Sequence, residues 1–247
     1  MEEAVNLNRP DAVDAIASWV ARGAWPPRCL LCGATGTPGR DLCAGCRADL
    51  LVNARGCPRC ALPLEVPAPA CGECLAAEPP FAATWAPFCY AHPLDLLEAR
   101  FKFHADLAAG RVLASLMIER FAADAPARPG LIVPVPLHRA RLGQRGYNQA
   151  LELARPLARA SGIPLRHDLL RRVRATPAQT GLDATARRQN LRAAFELAPD
   201  ADLPDHVVLF DDVMTTGATL REAATVLRRH GVARVDAWVL ARAPARC

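Results

Sequence analysis

Four pairs of cysteines constrain this chain more than any other feature of its sequence. Each pair has the spacing Cys-x-x-Cys, and the pairs begin at residues 29, 43, 57 and 71, a constant step of 14. Each such turn directs two thiolates toward one point, and two turns together provide the four sulfur ligands of a tetrahedral zinc site. The sequence therefore predicts two structural zinc sites with no open coordination position. The eight predicted ligands are Cys29, Cys32, Cys43, Cys46, Cys57, Cys60, Cys71 and Cys74.

The spacing alone leaves the pairing of these turns open. We favour the sequential arrangement, in which the first two turns share one zinc ion and the last two share the other, because each half then has the spacing of a zinc ribbon. An interleaved arrangement is compatible with the same spacing. Disulfides and an iron–sulfur cluster are the other chemistries that clustered cysteines serve.

The rest of the sequence favours metal over disulfides. The first ten residues, MEEAVNLNRP, lack the basic and apolar regions of a secretory signal. No apolar run approaches the roughly 20 residues that a membrane-spanning helix needs, so we expect no membrane insertion. We therefore expect a cytoplasmic location, where thiols stay reduced.

The pattern of apolar residues divides the chain of 247 residues into unequal parts. We predict an N-terminal helix within 1–24 (residues 10–22), a double zinc ribbon over 25–78 and a larger domain over 81–247. Within the larger domain, helical periodicity at 94–121, 148–161 and 219–231 accompanies strand-like runs at 131–136, 207–212 and 233–242. Strands that alternate with helices at these lengths predict an α/β fold with a mainly parallel sheet flanked by helices.

The sharpest chemical motif is the segment VVLFDDVMTTGATL at residues 207–220. A buried strand would place Asp211 and Asp212 at its carboxyl end, where ligands bind in open α/β sheets. The following residues, Thr215, Thr216, Gly217, Ala218 and Thr219, would open a helix whose first amide groups suit a phosphate. Carboxylates beside a phosphate site repel the phosphate itself, so they suit the vicinal hydroxyls of a ribose or a hydrated Mg²⁺.

This segment resembles the signature by which type I phosphoribosyltransferases bind 5-phosphoribosyl 1-diphosphate (PRPP). The resemblance implies that Asp211 and Asp212 hold the ribose hydroxyls, that the loop 215–219 holds the 5′-phosphate, and that Mg²⁺ accompanies PRPP. Type I enzymes have a pyrophosphate-binding loop at the place where this chain carries Arg139, Arg141 and Arg145. Guanidinium groups grip phosphate oxygens well.

A narrower resemblance covers residues 25–243. The cysteine array, Lys102-Phe103-His104, the Arg-Gly-Tyr-Asn-Gln run at 145–149 and the Asp-Asp-Val-x-Thr-Thr-Gly loop look like the ComF family. Its members combine a double zinc ribbon with a phosphoribosyltransferase-like domain and are linked to DNA uptake in competent bacteria. The resemblance implies PRPP binding and a role with incoming single-stranded DNA, with a DNA-translocating helicase as a candidate partner.

Two basic features remain open to more than one interpretation. The segment 171–192 holds six arginines and one acid, which fits a lid over the active site, a contact for single-stranded nucleic acid or a solvated surface. Lys102 is the only lysine of the chain, and we expect it to contact a ligand phosphate. The net charge of +5 would fall to about +1 with two zinc tetrathiolates, so bulk charge does not favour DNA binding.

The activity also has two interpretations. One is a protein that binds PRPP or ribose 5-phosphate with Mg²⁺ and serves natural transformation without turnover. The other is an active phosphoribosyltransferase of nucleobase or nucleotide metabolism, in which Asp211 and Asp212 orient the ribose for attack by an acceptor. Related enzymes that salvage 6-oxopurines carry an acid where this chain has Thr215, which argues against hypoxanthine or guanine as the acceptor.

Overall fold

The computed structural model describes residues 26–124, 126–174, 194–199 and 201–244. The predicted helix at 10–22 and most of the basic segment 171–192 lie outside these ranges. The chain divides into two compact units, Met1–Asp49 and Leu50–Cys247. None of the helices in the described ranges combines the length and the apolar character that crossing a membrane requires.

Seven helices and seven strands are present in the described ranges. The helices are α1 (Ala44–Ala48), α2 (Gly72–Ala76), α3 (Leu94–Phe103), α4 (Leu107–Asp124), α5 (Arg139–Arg145), α6 (Gln149–Ser161) and α7 (Ala218–Arg229). The strands are β1 (Thr84–Trp85), β2 (Phe88–Cys89), β3 (Leu131–Pro134), β4 (Leu170–Arg172), β5 (Phe195–Leu197), β6 (His206–Met214) and β7 (Arg234–Arg242).

A five-stranded parallel sheet forms the centre of the larger unit. Its path runs β1-β7-β6-β3, and β2 also pairs with β7. The predicted mainly parallel sheet is thus confirmed, with the predicted strands at 131–136, 207–212 and 233–242 as β3, β6 and β7. Separate from this sheet, β4 and β5 form an antiparallel pair.

The strand β6 is buried on both faces because helices cover both sides of the sheet. Its residues Val207, Val208, Leu209 and Phe210 are all fully buried, as their unbroken apolar run predicts for a central parallel strand. The helix α6 packs against β3 and β6, and α7 packs against β5, β6 and β7. Alternate residues of a strand point to opposite faces, so the four residues anchor both layers.

The helix α6 has clear end signals in the sequence. The Asn148 side chain accepts a hydrogen bond from the backbone N–H of Ala150 and so caps the helix. Gly162 ends the helix with a φ of 69°, in the left-handed region that glycine adopts without strain. These two residues explain why the prediction of a helix over 148–161 agrees closely with the structure.

The stretch 94–121, predicted to be helical, contains two helices, α3 and α4, with a corner between them. Ala105 takes a φ of 51°, which no continuous helix allows. The Asp106 side chain then accepts hydrogen bonds from the N–H groups of Ala108 and Ala109 and starts α4. The carboxylate of Asp106 also pairs with Arg100 of α3 at 2.8 Å, which fixes the corner between the two helices.

Candidate functional site

The eight paired cysteines form two groups of four. Within each group, the sulfur atoms all lie within 4.8 Å of one another. One group is Cys29, Cys32, Cys43 and Cys46, and the other is Cys57, Cys60, Cys71 and Cys74. This confirms the sequential pairing and excludes the interleaved one. Four converging sulfurs are the donor set that structural zinc prefers.

Backbone N–H groups donate hydrogen bonds to sulfur atoms in both groups, which stabilises the thiolate form. The N–H of Cys71 donates to Sγ of Cys57 at 3.2 Å, and the N–H of Cys46 donates to Sγ of Cys43 at 3.4 Å. Burial raises the pKa of the Cys57 thiol, but the backbone N–H groups of Cys60 and Cys71 outweigh burial and lower that pKa to about 7. Cys57 thus favours the thiolate, which is the form that binds metal, whereas burial raises the pKa of Cys60 in the same group.

The two groups differ in burial. In the first group Cys32 is exposed, whereas all four cysteines of the second group are buried. The second group also belongs to the apolar core that contains Val207 and Leu209 of β6. This zinc site is therefore part of the core of the larger unit.

The acid pair lies in β6, just beyond the point where β3 stops. Pro134, the last residue of β3, pairs with Phe210, and β6 continues to Met214 alongside β7. Asp211 is partly exposed, and Asp212 is 8% exposed. The Oδ1 atom of Asp211 accepts from the N–H of Asp212 at 2.9 Å, so one carboxylate is fixed by the backbone of the other residue.

Lys102 lies between two buried carboxylates. Its Nζ is 2.9 Å from Oδ2 of Asp212 and 2.7 Å from Oε1 of Glu98. Glu98 is 0% exposed and lies one helical turn before Lys102 on α3. The structure thus joins Lys102 to the acid pair, and the predicted contact of Lys102 with a ligand phosphate stays a prediction.

The environment separates the pKa values of the three acids. Burial raises the pKa of Glu98 to about 7, and the negative charge of Asp212 adds to this although Lys102 opposes it. Burial and then the charge of Asp212 raise the pKa of Asp211 to about 8. Burial alone would also raise the pKa of Asp212, but Lys102, the N–H of Val213 and Arg145 together outweigh it and hold this pKa below its usual range. Asp212 is therefore the carboxylate that Lys102 keeps ionised.

A small pocket continues from the acids along the loop 215–219. Its lining consists of Asp211 and residues 213–220. Thr215 and Thr216 are exposed, and Gly217 is the N-cap of α7 with a φ of 70°. A Cβ atom at Gly217 would collide with Cε of Met214. Gly217 has no side chain to cap α7, and Oγ1 of Thr216 accepts from the N–H of Ala218 at 3.4 Å. The next amide groups of the first turn point toward the N-terminal end of the helix, where a phosphate binds well.

The predicted arginines differ in their relation to the acid pair. Arg145 is partly buried, and its charge contributes to the lowered pKa of Asp212. Its guanidinium also lies 5.7 Å from the ring centroid of Phe103. Arg139 is exposed at the start of α5, and no hydrogen bond or ion pair within the described ranges joins it to the acids.

Three residues near the site were not identified from the sequence. Glu98 could have been found from its spacing of four residues before Lys102, which is typical of an ion pair on a helix. Arg172 of β4 contributes to the electrostatics of Asp211, but the sequence placed it in a longer basic segment. Arg242 is buried at the end of β7 and carried no signal in a chain so rich in arginine.

Comparison with known proteins agrees with these features. A family model described as a double zinc ribbon domain matches residues 20–75, and one described as a phosphoribosyl transferase domain matches residues 148–246. Competence protein F of Haemophilus influenzae is 38% identical over 226 residues, which cover 87% of this chain and 97% of the relative. DNA utilization protein YhgH of Salmonella typhi is 37% identical over 209 residues, which cover 81% of this chain and 90% of the relative.

More distant proteins match as well. Competence protein ComFC of Bacillus subtilis is 28% identical over 213 residues, which cover 83% of this chain and 85% of the relative. Among solved structures, the purine phosphoribosyltransferase of Pyrococcus horikoshii aligns with 53% of this chain and 80% of its own, with 15% identity and a TM-score of 0.31.

The cysteine groups, the parallel sheet and the two family models together define the class of protein. It combines a double zinc ribbon with a type I phosphoribosyltransferase fold. Within that class, the chain belongs to the ComF family, which includes competence protein F and DNA utilization protein YhgH.

Proposed function

We propose that the pocket of the larger unit binds PRPP or ribose 5-phosphate together with Mg²⁺. The observation that carries this proposal is the continuous pocket formed by Asp211 and the loop 215–219. The carboxyl group of Asp211 at one end suits sugar hydroxyls, and a helix N-terminus at the other end suits a phosphate. A ribose 5-phosphate presents both groups on one small molecule.

Each residue then has a distinct role in binding. Asp211 and Asp212 accept hydrogen bonds from the ribose hydroxyls, while the amides and hydroxyls of Thr215, Thr216, Gly217, Ala218 and Thr219 bind the 5′-phosphate. Arg145, and Arg139 at the start of the same helix, bind the pyrophosphate. Lys102 keeps Asp212 ionised, since its Nζ lies 2.9 Å from that carboxylate. Mg²⁺, when bound, neutralises part of the pyrophosphate charge.

We further propose that the protein acts in the cytoplasm during DNA uptake and natural transformation. The names of its relatives, competence protein F and DNA utilization protein YhgH, support this role. Single-stranded DNA and a DNA-translocating helicase are the partners we expect. A filter-binding assay with single-stranded DNA over a range of salt concentrations tests this part, since a phosphate-backbone contact weakens steeply with salt.

Isothermal titration of the zinc-loaded protein with PRPP and Mg²⁺ tests the ligand. We expect Asp211→Asn/Asp212→Asn to abolish measurable binding. Each substitution replaces one of the two carboxyl oxygens that could accept from the ribose hydroxyls by an NH₂ group, which only donates. Asp168→Asn is the matched control, since Asp168 is an exposed acid paired with Arg166 outside this pocket. Failure of the wild type to bind PRPP or ribose 5-phosphate, with zinc bound and the fold intact, would refute the proposal.

An active phosphoribosyltransferase is the second candidate. The concentration of positive charge near the acids favours it, because Lys102 and Arg145 both influence the pKa of Asp212 and cations stabilise a departing pyrophosphate. A coupled assay for pyrophosphate release, run with PRPP and a panel of nucleobases, distinguishes the two candidates. Release that depends on both an acceptor and Asp212 supports an enzyme, whereas binding without release supports a protein that uses PRPP as a ligand.

A further inference from the structure

The guanidinium of Arg242 lies buried between the second zinc site and the loop 215–219, which is called the phosphate loop below. Arg242 is 3% exposed and is the last residue of β7. Its Nε donates to the carbonyl oxygen of Cys60 at 3.0 Å. Its Nη1 is 3.1 Å from the carbonyl oxygen of Met214 and 2.5 Å from that of Thr215. One side chain therefore contacts both a predicted zinc ligand and the first residue of the loop 215–219.

The zinc-binding turn at Cys57–Cys60 is held by the sheet through three successive carbonyl groups. The carbonyl of Pro58 accepts from the N–H of Thr84 at 3.3 Å, and that of Arg59 accepts from Oγ1 of Thr84 at 2.7 Å. The third carbonyl, of Cys60, accepts from Arg242. Thr84 attaches the turn to β1. Of these three contacts in the described ranges, the one made by Arg242 continues to the loop 215–219.

The charge of Arg242 fits this position when zinc is bound. Its hydrogen-bond partners in the described ranges are all carbonyl oxygens, which offer partial charges and no full negative charge. A zinc ion with four thiolates carries a net charge of −2. A buried cation requires compensation, and a zinc tetrathiolate that includes Cys60 would supply it.

We propose that Arg242 is a positioning residue that couples the second zinc site to the phosphate loop. This inference rests on the proposed function in one respect, since it predicts that phosphoribosyl binding depends on zinc in the group that includes Cys60. Loss of that zinc, with protonation of the four freed thiolates, would remove the negative charge that balances Arg242 and release the Cys60 carbonyl. The carbonyls of Met214 and Thr215 then lose a fixed donor, and the amide groups of the loop lose their common orientation. The coupling is reciprocal in free energy, so a bound ligand strengthens the binding of this zinc ion.

Hydrogen exchange of the zinc-loaded full-length chain measures the coupling directly. We expect Arg242→Met to speed the exchange of the amides at 215–219 and at Cys60 by roughly tenfold, and to weaken PRPP binding by a similar factor. The matched control is Thr84→Val, which removes the bond to the Arg59 carbonyl. It loosens the same zinc-binding turn and leaves the contacts of Arg242 with the loop intact. We expect it to speed exchange at the turn alone.

Zinc release supplies a second readout. Cys32→Ser at the first group leaves a single zinc ion at the second group, and its transfer to a chromophoric chelator then reports on that site. We expect saturating PRPP and Mg²⁺ to reduce the fraction of zinc transferred at equilibrium and Arg242→Met to abolish the effect. If Arg242→Met does not fold, Arg242→Lys replaces it, since Lys keeps the charge but cannot reach Cys60 and Thr215 together.

The outcomes separate the coupling from the proposed ligand. Unchanged exchange at 215–219 in a folded Arg242 variant would overturn the coupling even if PRPP binds. A wild type that does not bind PRPP would overturn the proposed ligand, whereas faster exchange in the same variant would still support the coupling. Equally fast exchange at 215–219 in Thr84→Val would also overturn the coupling, because any loosening of the zinc-binding turn would then affect the loop without Arg242.

Discussion

The buried acid Glu98 gives the most quantitative test of the site. Replacing it by glutamine keeps the shape of the side chain and removes its charge, while Lys102 retains Asp212 as a partner at 2.9 Å. Burial raises the pKa of Glu98 from an ordinary value of 4.5 to about 7. The pKa of Glu98 depends on the charges of Asp212 and Lys102. Glu98 in turn contributes to the raised pKa values of Tyr90 and Tyr147.

The direction of the effect follows from proton linkage. A carboxyl whose pKa is raised on folding stabilises the protein below the pKa of the unfolded state, and this stabilisation is lost as the pH rises through the folded-state value. For Glu98 the loss occurs between a pH of 4.5 and about 7. The wild type therefore loses up to about 1.4 kcal/mol per pH unit in this range because of Glu98. Glu98→Gln does not titrate, so its free energy of unfolding lacks this contribution.

Urea denaturation from about pH 5.5 to about pH 7.5, with zinc present throughout, measures the difference between the two proteins. We expect the stability of Glu98→Gln relative to wild type to increase by about 2 kcal/mol over this range. Using the difference cancels the titration of the cysteines, which both proteins share. Glu152→Gln is the matched control, because Glu152 is an acid on α6 whose side chain is 36% exposed and pairs with Arg155.

A pH-independent difference would refute the reasoning. If the relative stability of Glu98→Gln stays constant over this range, as we expect for Glu152→Gln, Glu98 is already ionised at the lower pH. The burial of Glu98 would then be balanced by Lys102 alone, and the inferred separation of pKa values in the cluster would be wrong.

Three further predictions test the loop, the helix behind it and the metal. Gly217→Ala should weaken PRPP binding in calorimetry and cost about 1 kcal/mol in urea denaturation, because a φ of 70° disfavours a side chain and the end of the Met214 side chain must shift. Asn148→Ala should lower the free energy of unfolding by about 1 to 2 kcal/mol, since it removes the cap of α6 and a hydrogen bond to Val135. Plasma mass spectrometry should find two zinc ions per chain, one for each four-cysteine group, and one in Cys32→Ser.

The order of the main elements could be predicted because each had a local signal. The four apolar residues at 207–210 predict a buried strand, and β6 contains them. Asn148 and Gly162 mark both ends of α6. The break between α3 and α4 was missed because apolar residues continue at helical spacing on both sides of it. Asp106 was the available signal, since an aspartate followed by a new helix is a common cap.

The candidate site could be predicted only where its residues are neighbours in the chain. Asp211, Asp212 and the loop 215–219 follow one another, so a local motif identified them together. The ion pair between Lys102 and Asp212 joins α3 to β6, and nothing in the sequence near either residue indicates the other. The rarity of lysine in this chain did indicate that Lys102 is unusual, but it did not reveal that its partners are carboxylates.

The regular spacing of the cysteines conceals a difference between the two zinc sites. From the sequence they are equivalent, since both have the same ligand spacing. In the structure the first has an exposed ligand, Cys32, whereas the second is fully buried in a core that includes β6. Because Cys60 of the second site also contacts Arg242, loss of that zinc should disturb the phosphate loop. The ligand pattern predicts that each site binds metal, and only the packing around it determines what else depends on that metal.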